Sequence, residues 1–203
     1  MTNQEIRGAI IGMVLGDAYL SKEGRLSMRH CENQKDYMLF KRNILQKKQK
    51  QIIPIYSVIQ NGYKGIGFAT RRRPIYRILR KKMYKNGVKT ISMSILKWLT
   101  PLGIAIWFMD DGSTSYKFSN AYSDKNGRKI KAVETTINTY LSKEQNEIII
   151  NYFKERWGIK MGLNKSRGKY RIRMGTKEAR KFVKIIEPYI VPSMKYKIEK
   201  LLI

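Results

Sequence analysis

Two stretches of the chain, residues 9–15 and 102–109, are apolar with almost no polar interruption. A helix apolar on nearly all sides is buried and not amphipathic. Thr2 followed by Glu5 has the form of a capping box opening the first helix. Thr100 followed by Pro101 supplies an N-cap and a first helical residue for the second. Each helix carries small residues: Gly8, Gly12 and Gly16 in one, Gly103 and Ala105 in the other. Glycine inside a helix costs roughly 1 kcal/mol relative to alanine. Glycines recurring every four residues on one face therefore predict the close approach of another backbone. The obvious partner is the other apolar helix.

After each run the same succession of patterns follows. First comes a β-like stretch, residues 24–31 in the first half. In the second half residues 116–140 have this character, with a turn at Lys125-Asn126-Gly127. An amphipathic helix is next, capped by Asn33 with Asp36 in one half and by Ser142 with Gln145 in the other. Hairpins are expected over residues 55–72 around Asn61-Gly62 and over 160–174 around Ser166-Arg167-Gly168. Helices are expected over 74–85 and 176–189, followed by the lysine-bearing segments Val88-Lys89-Thr90-Ile91 and Tyr196-Lys197-Ile198. The halves differ residue by residue, yet their order of elements agrees. An internal duplication follows, with residues 1–98 and 99–203 as the two repeats.

Several strands alternate basic with apolar residues. Arg25, Ser27 and Arg29 alternate with Leu26, Met28 and His30, and Lys129 and Lys131 with Ile130 and Ala132. Lys169, Arg171 and Arg173 alternate with Tyr170, Ile172 and Met174. One sheet face is expected to pack on helices. The other, without acids at its exposed positions, forms a basic surface. The whole composition points the same way: 42 Lys and Arg against 15 Asp and Glu give a net charge of +27. Such an excess favours a polyanionic partner, with nucleic acid foremost. The hydrophobic content of 42% is still enough for a core, so the charge belongs to a folded surface. A single cysteine, Cys31, excludes an internal disulfide and a cysteine-based zinc site. A single histidine, His30, excludes chemistry that needs two. Neither apolar run has the form of a signal peptide or the length of a membrane span. A soluble intracellular protein is expected, neither secreted nor in a membrane.

Each apolar run ends in acid, at Gly16-Asp17-Ala18 and at Asp110-Asp111-Gly112. The C-terminus of a helix carries partial negative charge and unpaired carbonyls. A carboxylate there can join those carbonyls in holding a hard cation. Alternatively, each Asp is a turn residue bonded to local backbone. If the helices pack side by side, Asp17 and Asp111 meet at a shared end. A divalent cation, Mg²⁺ above all, relieves the repulsion between them.

Residues 10–18, Ile-Ile-Gly-Met-Val-Leu-Gly-Asp-Ala, resemble the nine-residue LAGLIDADG motif, and residues 104–112, Ile-Ala-Ile-Trp-Phe-Met-Asp-Asp-Gly, resemble a second copy. The likeness extends to Leu-Gly-Asp-Ala-Tyr at 15–19, Lys-Thr-Ile at 89–91, Leu-Thr-Pro at 99–101 and Pro-Tyr-Ile-Val-Pro-Ser-Met-Lys-Tyr-Lys at 188–197. These segments are similar to omega-type intron endonucleases of yeast mitochondria. The resemblance implies an α+β fold of two pseudo-symmetric αββαββα repeats, with antiparallel sheets forming a DNA-binding saddle and motif helices at the central seam. It further implies a homing endonuclease that acts as a monomer on double-stranded DNA. Such an enzyme makes double-strand breaks with short 3′ overhangs by metal-dependent phosphodiester hydrolysis. Asp17 and Asp111 fall at the metal-binding acidic positions, with Gly16 and Asp110 as further ligands. Mg²⁺ is the implied cofactor, with Mn²⁺ as substitute. Lys89 and Lys197 match lysines that flank the active sites. Ile11 and Ile106 depart from the preferred alanine and glycine, away from the metal position.

DNA contacts are expected from Arg25, Arg29, Lys64, Arg71, Arg72, Arg73, Lys129, Lys131, Arg167, Lys169, Arg171 and Arg173. Arg171 and Arg173 are expected to read bases, and Lys64 and Arg167, in hairpin turns, to touch phosphates. Asn138 is read as a strand-end hydrogen bonder, and His30 and Cys31 as packing or local polar groups. Competing functions are an intron maturase of the same fold, a non-catalytic DNA-binding regulator and a structural RNA-binding protein.

Overall fold

A computed structural model describes residues 1–60, 62–118, 130–166 and 168–202. The first helix, α1 (Asn3–Leu15), opens on the expected capping box: Thr2 Oγ1 accepts from the Glu5 amide at 3.2 Å, and Glu5 accepts from the Thr2 amide at 2.6 Å. It is followed by β1 (Tyr19–Leu20), β2 (Leu26–Cys31), α2 (Lys35–Gln46), β3 (Ile55–Gln60), β4 (Tyr63–Ala69) and α3 (Pro74–Met83). A ribbon of β5 (Tyr84–Lys85) and β6 (Val88–Lys89) and a short helix α4 (Met93–Leu96) lead to α5 (Pro101–Asp111). Thr100 Oγ1 caps α5 through the Gly103 amide at 3.3 Å. Then come β7 (Gly112–Phe118), β8 (Ile130–Ile137), α6 (Lys143–Trp157), β9 (Gly162–Ser166), β10 (Lys169–Gly175) and α7 (Thr176–Ile186). Three 3₁₀ turns, at Glu187–Tyr189, Pro192–Lys197 and Glu199–Leu201, follow.

The order αββαββα thus occurs twice. The two four-stranded antiparallel sheets have the same strand order, β1-β2-β4-β3 and β7-β8-β10-β9. This is the α+β duplication expected from the sequence. Between the repeats, α1 packs directly on α5. A Cβ placed on Gly12 would strike the Gly103 carbonyl, and one on Gly103 would strike the Gly8 carbonyl. The glycine spacing therefore serves backbone-to-backbone contact. In return the helices bury Ile11, Met13, Val14, Ile104, Ile106, Trp107 and Phe108 almost completely. Each such side chain contributes about 1.5–3 kcal/mol on leaving water.

The sheets alternate largely as expected. Leu26, Met28 and His30 of β2 are buried while Arg29 is exposed, and Ile172 and Met174 of β10 are buried while Lys169 and Arg173 are exposed. In β8, however, Val133, Thr135 and Ile137 take the inner face. That parity puts Glu134 on the outer one, where its carboxylate lies 3.4 Å from Arg173 Nε. The outer face is thus not free of acid.

Several local expectations are corrected. Asn33 does not cap α2. Residues Glu32–Gln34 form a 3₁₀ turn, and the helix starts at Lys35 without a side-chain cap. Helix α3 stops at Met83, and residues 84–89 form the ribbon. Its turn, Asn86-Gly87, has φ values of 51° and 82°. The helix after Gly175 is α-helical only to Ile186 before tightening into 3₁₀ at Pro188. Strand β7 begins at Gly112, directly after the motif helix. The expected turn at 125–127, together with Lys129 and Arg167, lies outside the described residues.

Candidate active site at the seam

The close packing of α1 on α5 brings their C-terminal ends together, and with them Asp17, Asp110 and Asp111. Gly16 is the C-cap of α1. Its missing side chain leaves room for Asp110, whose carboxylate a Cβ on Gly16 would strike. Asp110 Oδ2 accepts the Asp17 amide at 3.2 Å. The Asp110 side chain is fully buried, whereas that of Asp17 is 44% exposed and open to a ligand. At the end of α5 the Asp111 carbonyl accepts from the Asn138 amide at 3.0 Å and from Asn138 Nδ2 at 3.3 Å. Asn138 is thus the strand-end hydrogen bonder expected.

The two lysines singled out in the sequence arrive from different elements. Lys89 reaches from β6 and donates to the Gly16 carbonyl at 2.6 Å. Lys197 reaches from the 3₁₀ turn Pro192–Lys197 and donates to the Met109 carbonyl at 2.6 Å. Burial holds both ammonium groups below the usual lysine range, against the opposing pull of Asp17, Asp110 and Asp111. Burial, then Asp17 and Asp110, pushes the Asp111 carboxyl up to about 7. Burial, then Asp110, also raises Asp17, with Lys41, Lys89 and Lys197 opposing. Crowded carboxylates with their charge incompletely compensated are the hard-oxygen donor chemistry that suits a small divalent cation.

Three groups at this site were not singled out in the sequence, Gln34, Tyr37 and Lys41, and they meet His30, which stands as the packed local polar group expected. Tyr37 OH donates to the Ile106 carbonyl at 2.9 Å and to Asp110 Oδ1 at 2.7 Å. Lys41 Nζ lies 2.5 Å from Asp110 Oδ1 and 3.0 Å from His30 Nε2. His30 Nδ1 is 3.0 Å from Gln34 Oε1 and 3.8 Å from Asp17 Oδ2. Burial, with the Lys41 charge adding to it, pushes the His30 imidazole down to about 4. Lys41 was visible in the sequence as one charge within the stripe Tyr37, Met38, Ile44 and Leu45, all buried on α2.

The remaining sequence-predicted residues lie apart from this centre. Asp17, Tyr19, Ser27, Arg29, His30, Gln34 and Tyr56 line an open cleft of about 550 Å³ beside it. Arg25, Arg71 and Arg72 line another hollow with Gln49 and Thr70. Arg73, half-buried, donates to the Lys48 carbonyl. Lys64 stands exposed within β4, past the turn. Lys131 lies in β8. Arg171 is half-buried, and its Nε finds no hydrogen-bond partner among the described residues.

The LAGLIDADG DNA endonuclease family model matches residues 7–182. The chain belongs to the LAGLIDADG DNA endonuclease family. Its fold is similar to that of the homing endonuclease I-WcaI bound to its DNA recognition sequence, with a TM-score of 0.78 and 23% identity over 97% of this chain and 86% of that one. The N-terminal LAGLIDADG domain of WhiA is a more distant relative in fold, with a TM-score of 0.55, 10% identity and coverage of 92% and 84%. Among sequences, the cytochrome b mRNA maturase bI2 of Debaryomyces hansenii is 27% identical over 209 residues, 97% of this chain and 74% of that protein. The RecA protein of Mycolicibacterium flavescens is 27% identical over 197 residues, 93% of this chain. The chain spans only 45% of that RecA's length. Among the described residues of this family member, no helix is long and apolar enough to cross a membrane.

Proposed function

We propose that the chain is a site-specific homing endonuclease that binds double-stranded DNA as a monomer and hydrolyses one phosphodiester bond in each strand, leaving short 3′ overhangs. The observation that carries this reading is the pair Asp17 and Asp111 at the adjoining ends of α1 and α5, each end with a half-buried lysine bonded to its backbone. On this reading residues 1–98 and 99–203 each serve one half of the target, across a pseudo-two-fold axis along the seam. Asp17 and Asp111 would hold divalent metal, with the Gly16 and Asp110 carbonyls as further ligands. The ion is Mg²⁺, for which Mn²⁺ substitutes. When bound, such an ion supplies Lewis acidity and a more acidic water. The chain's own residues do the rest. Lys89 and Lys197 bring positive charge to the phosphate whose negative charge grows in the transition state. In each strand a water oxygen bonds to phosphorus, one ester P–O bond breaks, and the departing oxygen takes a proton.

The outer sheet faces supply affinity. Arg25, Arg29, Lys64, Arg71, Arg72, Lys169, Arg171 and Arg173, together with Lys129, Lys131 and Arg167, are the proposed DNA contacts. Arg73, bonded within the protein, is the weakest member of the set. The test is incubation of a randomised duplex library with Mg²⁺, followed by mapping of both ends of every cut. Recovery of one long site with short 3′ overhangs supports the reading, and an uncut library overturns it.

The likeness to the bI2 maturase over 97% of the chain favours one second reading, an intron maturase of the same fold. Stimulated splicing of an intron RNA that persists in Asp17→Asn, without DNA cleavage by the parent protein, would select it.

A further inference from the structure

The seam holds a cation to which the reaction proposed above gives no role. Lys41 projects from α2 of the first repeat into the second repeat's motif helix and is fully buried there. An ammonium group can only donate hydrogen bonds. His30 Nε2, 3.0 Å from Lys41 Nζ, must therefore present its lone pair, and the ring proton sits on Nδ1. That N–H donates to Gln34 Oε1 at 3.0 Å and faces Asp17 Oδ2 at 3.8 Å. On the other side Lys41 holds Asp110 Oδ1, and Asp110 Oδ2 holds the Asp17 amide. The contacts run from the Asp17 backbone through Asp110 and Lys41 to His30, whose Nδ1 lies 3.8 Å from the Asp17 carboxylate.

A ring nitrogen of His30 and oxygens of Asp17 and Asp110 do lie within 4.8 Å of one another, as three ligands of a cation would. Neither nitrogen is free for that use, because Nδ1 carries the proton and the Nε2 lone pair faces Lys41. The set of contacts is better suited to holding Asp17 still. Asp111 is held in another way. Its carbonyl is tied to Asn138 of its own repeat. Among the described residues the buried polar side chain of α6, Asn146, bonds to Thr139, Leu141 and Ser142 nearby.

We infer that Lys41 is a positioning residue for Asp17 alone, so that the two strands of the target are cut by centres of unequal construction and only one cut depends on Lys41. The inference rests on the nuclease reading. A group displaced by even 1 Å at a reacting centre costs up to about a hundredfold in rate. Loss of the ammonium group leaves Asp110 to Tyr37 and His30 to Gln34, and loosens the hold on Asp17.

The experiment uses the cleaved duplex labelled with a different fluorophore at each 5′ end, in single-turnover cleavage with Mg²⁺. Lys41→Met is expected to slow one strand about tenfold or more and the other by no more than about threefold, so that a nicked duplex accumulates. The double variant Lys41→Met/Asp110→Asn buries no unpaired charge and guards against misfolding. It should show the same strand bias, because His30 still lacks its donor. Equal slowing of both strands in both variants would mean a merely structural role and overturns the inference. A second readout needs no cleavage. His30 is the only histidine, so its ¹⁵N resonances report one tautomer, Nδ1–H in the parent protein and Nε2–H in Lys41→Met. The Asp17 amide resonance should move in that variant while the Asp111 amide stays. Parent protein that cuts neither strand sinks the nuclease reading, and an unmoved Asp17 amide sinks the role of Lys41 by itself.

Discussion

Helices α2 and α6 occupy equivalent places in the two repeats, yet they handle buried polarity in opposite ways. From α2, Tyr37 and Lys41 cross the seam to the Ile106 carbonyl and to Asp110 in the other repeat. From α6, Asn146 folds back on Leu141, Ser142 and Thr139, all within seven residues. The first arrangement couples the repeats through charge, and the second stabilises one repeat's own loop. The two repeats thus share a backbone plan and differ in their polar interior. Each copy needs a full set of strand pairings, whereas one cross-seam ion pair serves both copies.

The largest effect should come from the residues that the halves share. Asp17→Asn and Asp111→Asn should each lower double-strand cleavage by at least about a thousandfold, while DNA affinity, carried mainly by Lys and Arg, stays within about threefold. Gel cleavage with Mg²⁺ beside fluorescence anisotropy in Ca²⁺ checks both. Full-rate cutting by either variant would remove that carboxylate from the chemistry. If only one is silent, the centres differ more than the helix ends suggest.

The contrast between α2 and α6 is next in size. Lys41→Ala leaves the Asp110 carboxylate buried without its cation and should cost about 3–5 kcal/mol. Asn146→Ala strands only neutral groups, notably the Thr139 hydroxyl, and should cost about 1–3 kcal/mol. Urea unfolding of the two variants measures both. Lys41→Met/Asp110→Asn should recover much of the first loss and has no analogue in α6. Equal losses for the two alanine variants would erase the distinction.

Much of this arrangement was legible in sequence, for identifiable reasons. The motif helices announced themselves because they are apolar on all sides and begin at Thr2 and Thr100, whose caps depend on residues only three positions away. The glycines at 8, 12 and 103 gave away the seam, since nothing but close packing offsets their cost in a helix. Strand faces in β2 and β10 followed from alternation. What stayed hidden was decided at long range or in short pieces. The ribbon of β5 and β6 has two residues per strand, too few to show any period. Asn33 failed as a cap because the chain tightens into a 3₁₀ turn there, which brings Gln34 to His30. Lys41 was not singled out, because its partner is 69 residues away and in the other repeat. The acid in β8, Glu134, was overlooked because the face of that strand was inferred from its first residues, one register out from the part that packs on the core.

Acidity separates the halves less sharply, through the pair of carboxylates proposed to hold metal. The Asp111 carboxyl rises from 3.8 to about 7 on folding. A carboxyl raised in this way favours the fold at low pH, and that contribution is lost as pH climbs through the folded value. Metal-free protein should therefore lose stability between about pH 4 and 7 on account of Asp111. On the proposed reading Mg²⁺ would bind the ionised form and should restore it. The rise in Tm produced by Mg²⁺ should be larger at pH 8 than at pH 6 by a few degrees, roughly the response to 1 kcal/mol in a domain of this size. Asp111→Asn should flatten this dependence. Were Asp17→Asn to flatten it equally while Asp111→Asn did not, the order of the two acids would be reversed.

The smallest expected difference lies on the outer sheet faces. Arg29 of β2 has no ion pair with an acid among the described residues, whereas Arg173 of β10 has Glu134 3.4 Å from its Nε. Both are exposed, so both can reach a duplex lying along the sheets. With about eight phosphate contacts the binding constant should fall with salt at a log–log slope near −7, each contact contributing about −0.9. If Arg29 meets a phosphate, Arg29→Ala should flatten the slope by about one unit and weaken binding to all sequences alike. Arg173 has part of its charge answered by Glu134 already, so it should displace less counterion from DNA. Glu134 also fixes the direction in which the guanidinium points, which suits the reading of a base edge more than the clasping of a phosphate. Arg173→Ala should therefore leave the slope within about half a unit and relax preference at one or two base pairs by about 1–3 kcal/mol. Glu134→Gln tests the cause, because it should make Arg173 behave like Arg29, steepening the salt dependence and blurring that preference. A uniform loss of affinity in Arg173→Ala across every single-base variant of the site would place this arginine on the backbone of the DNA and leave the two sheets alike.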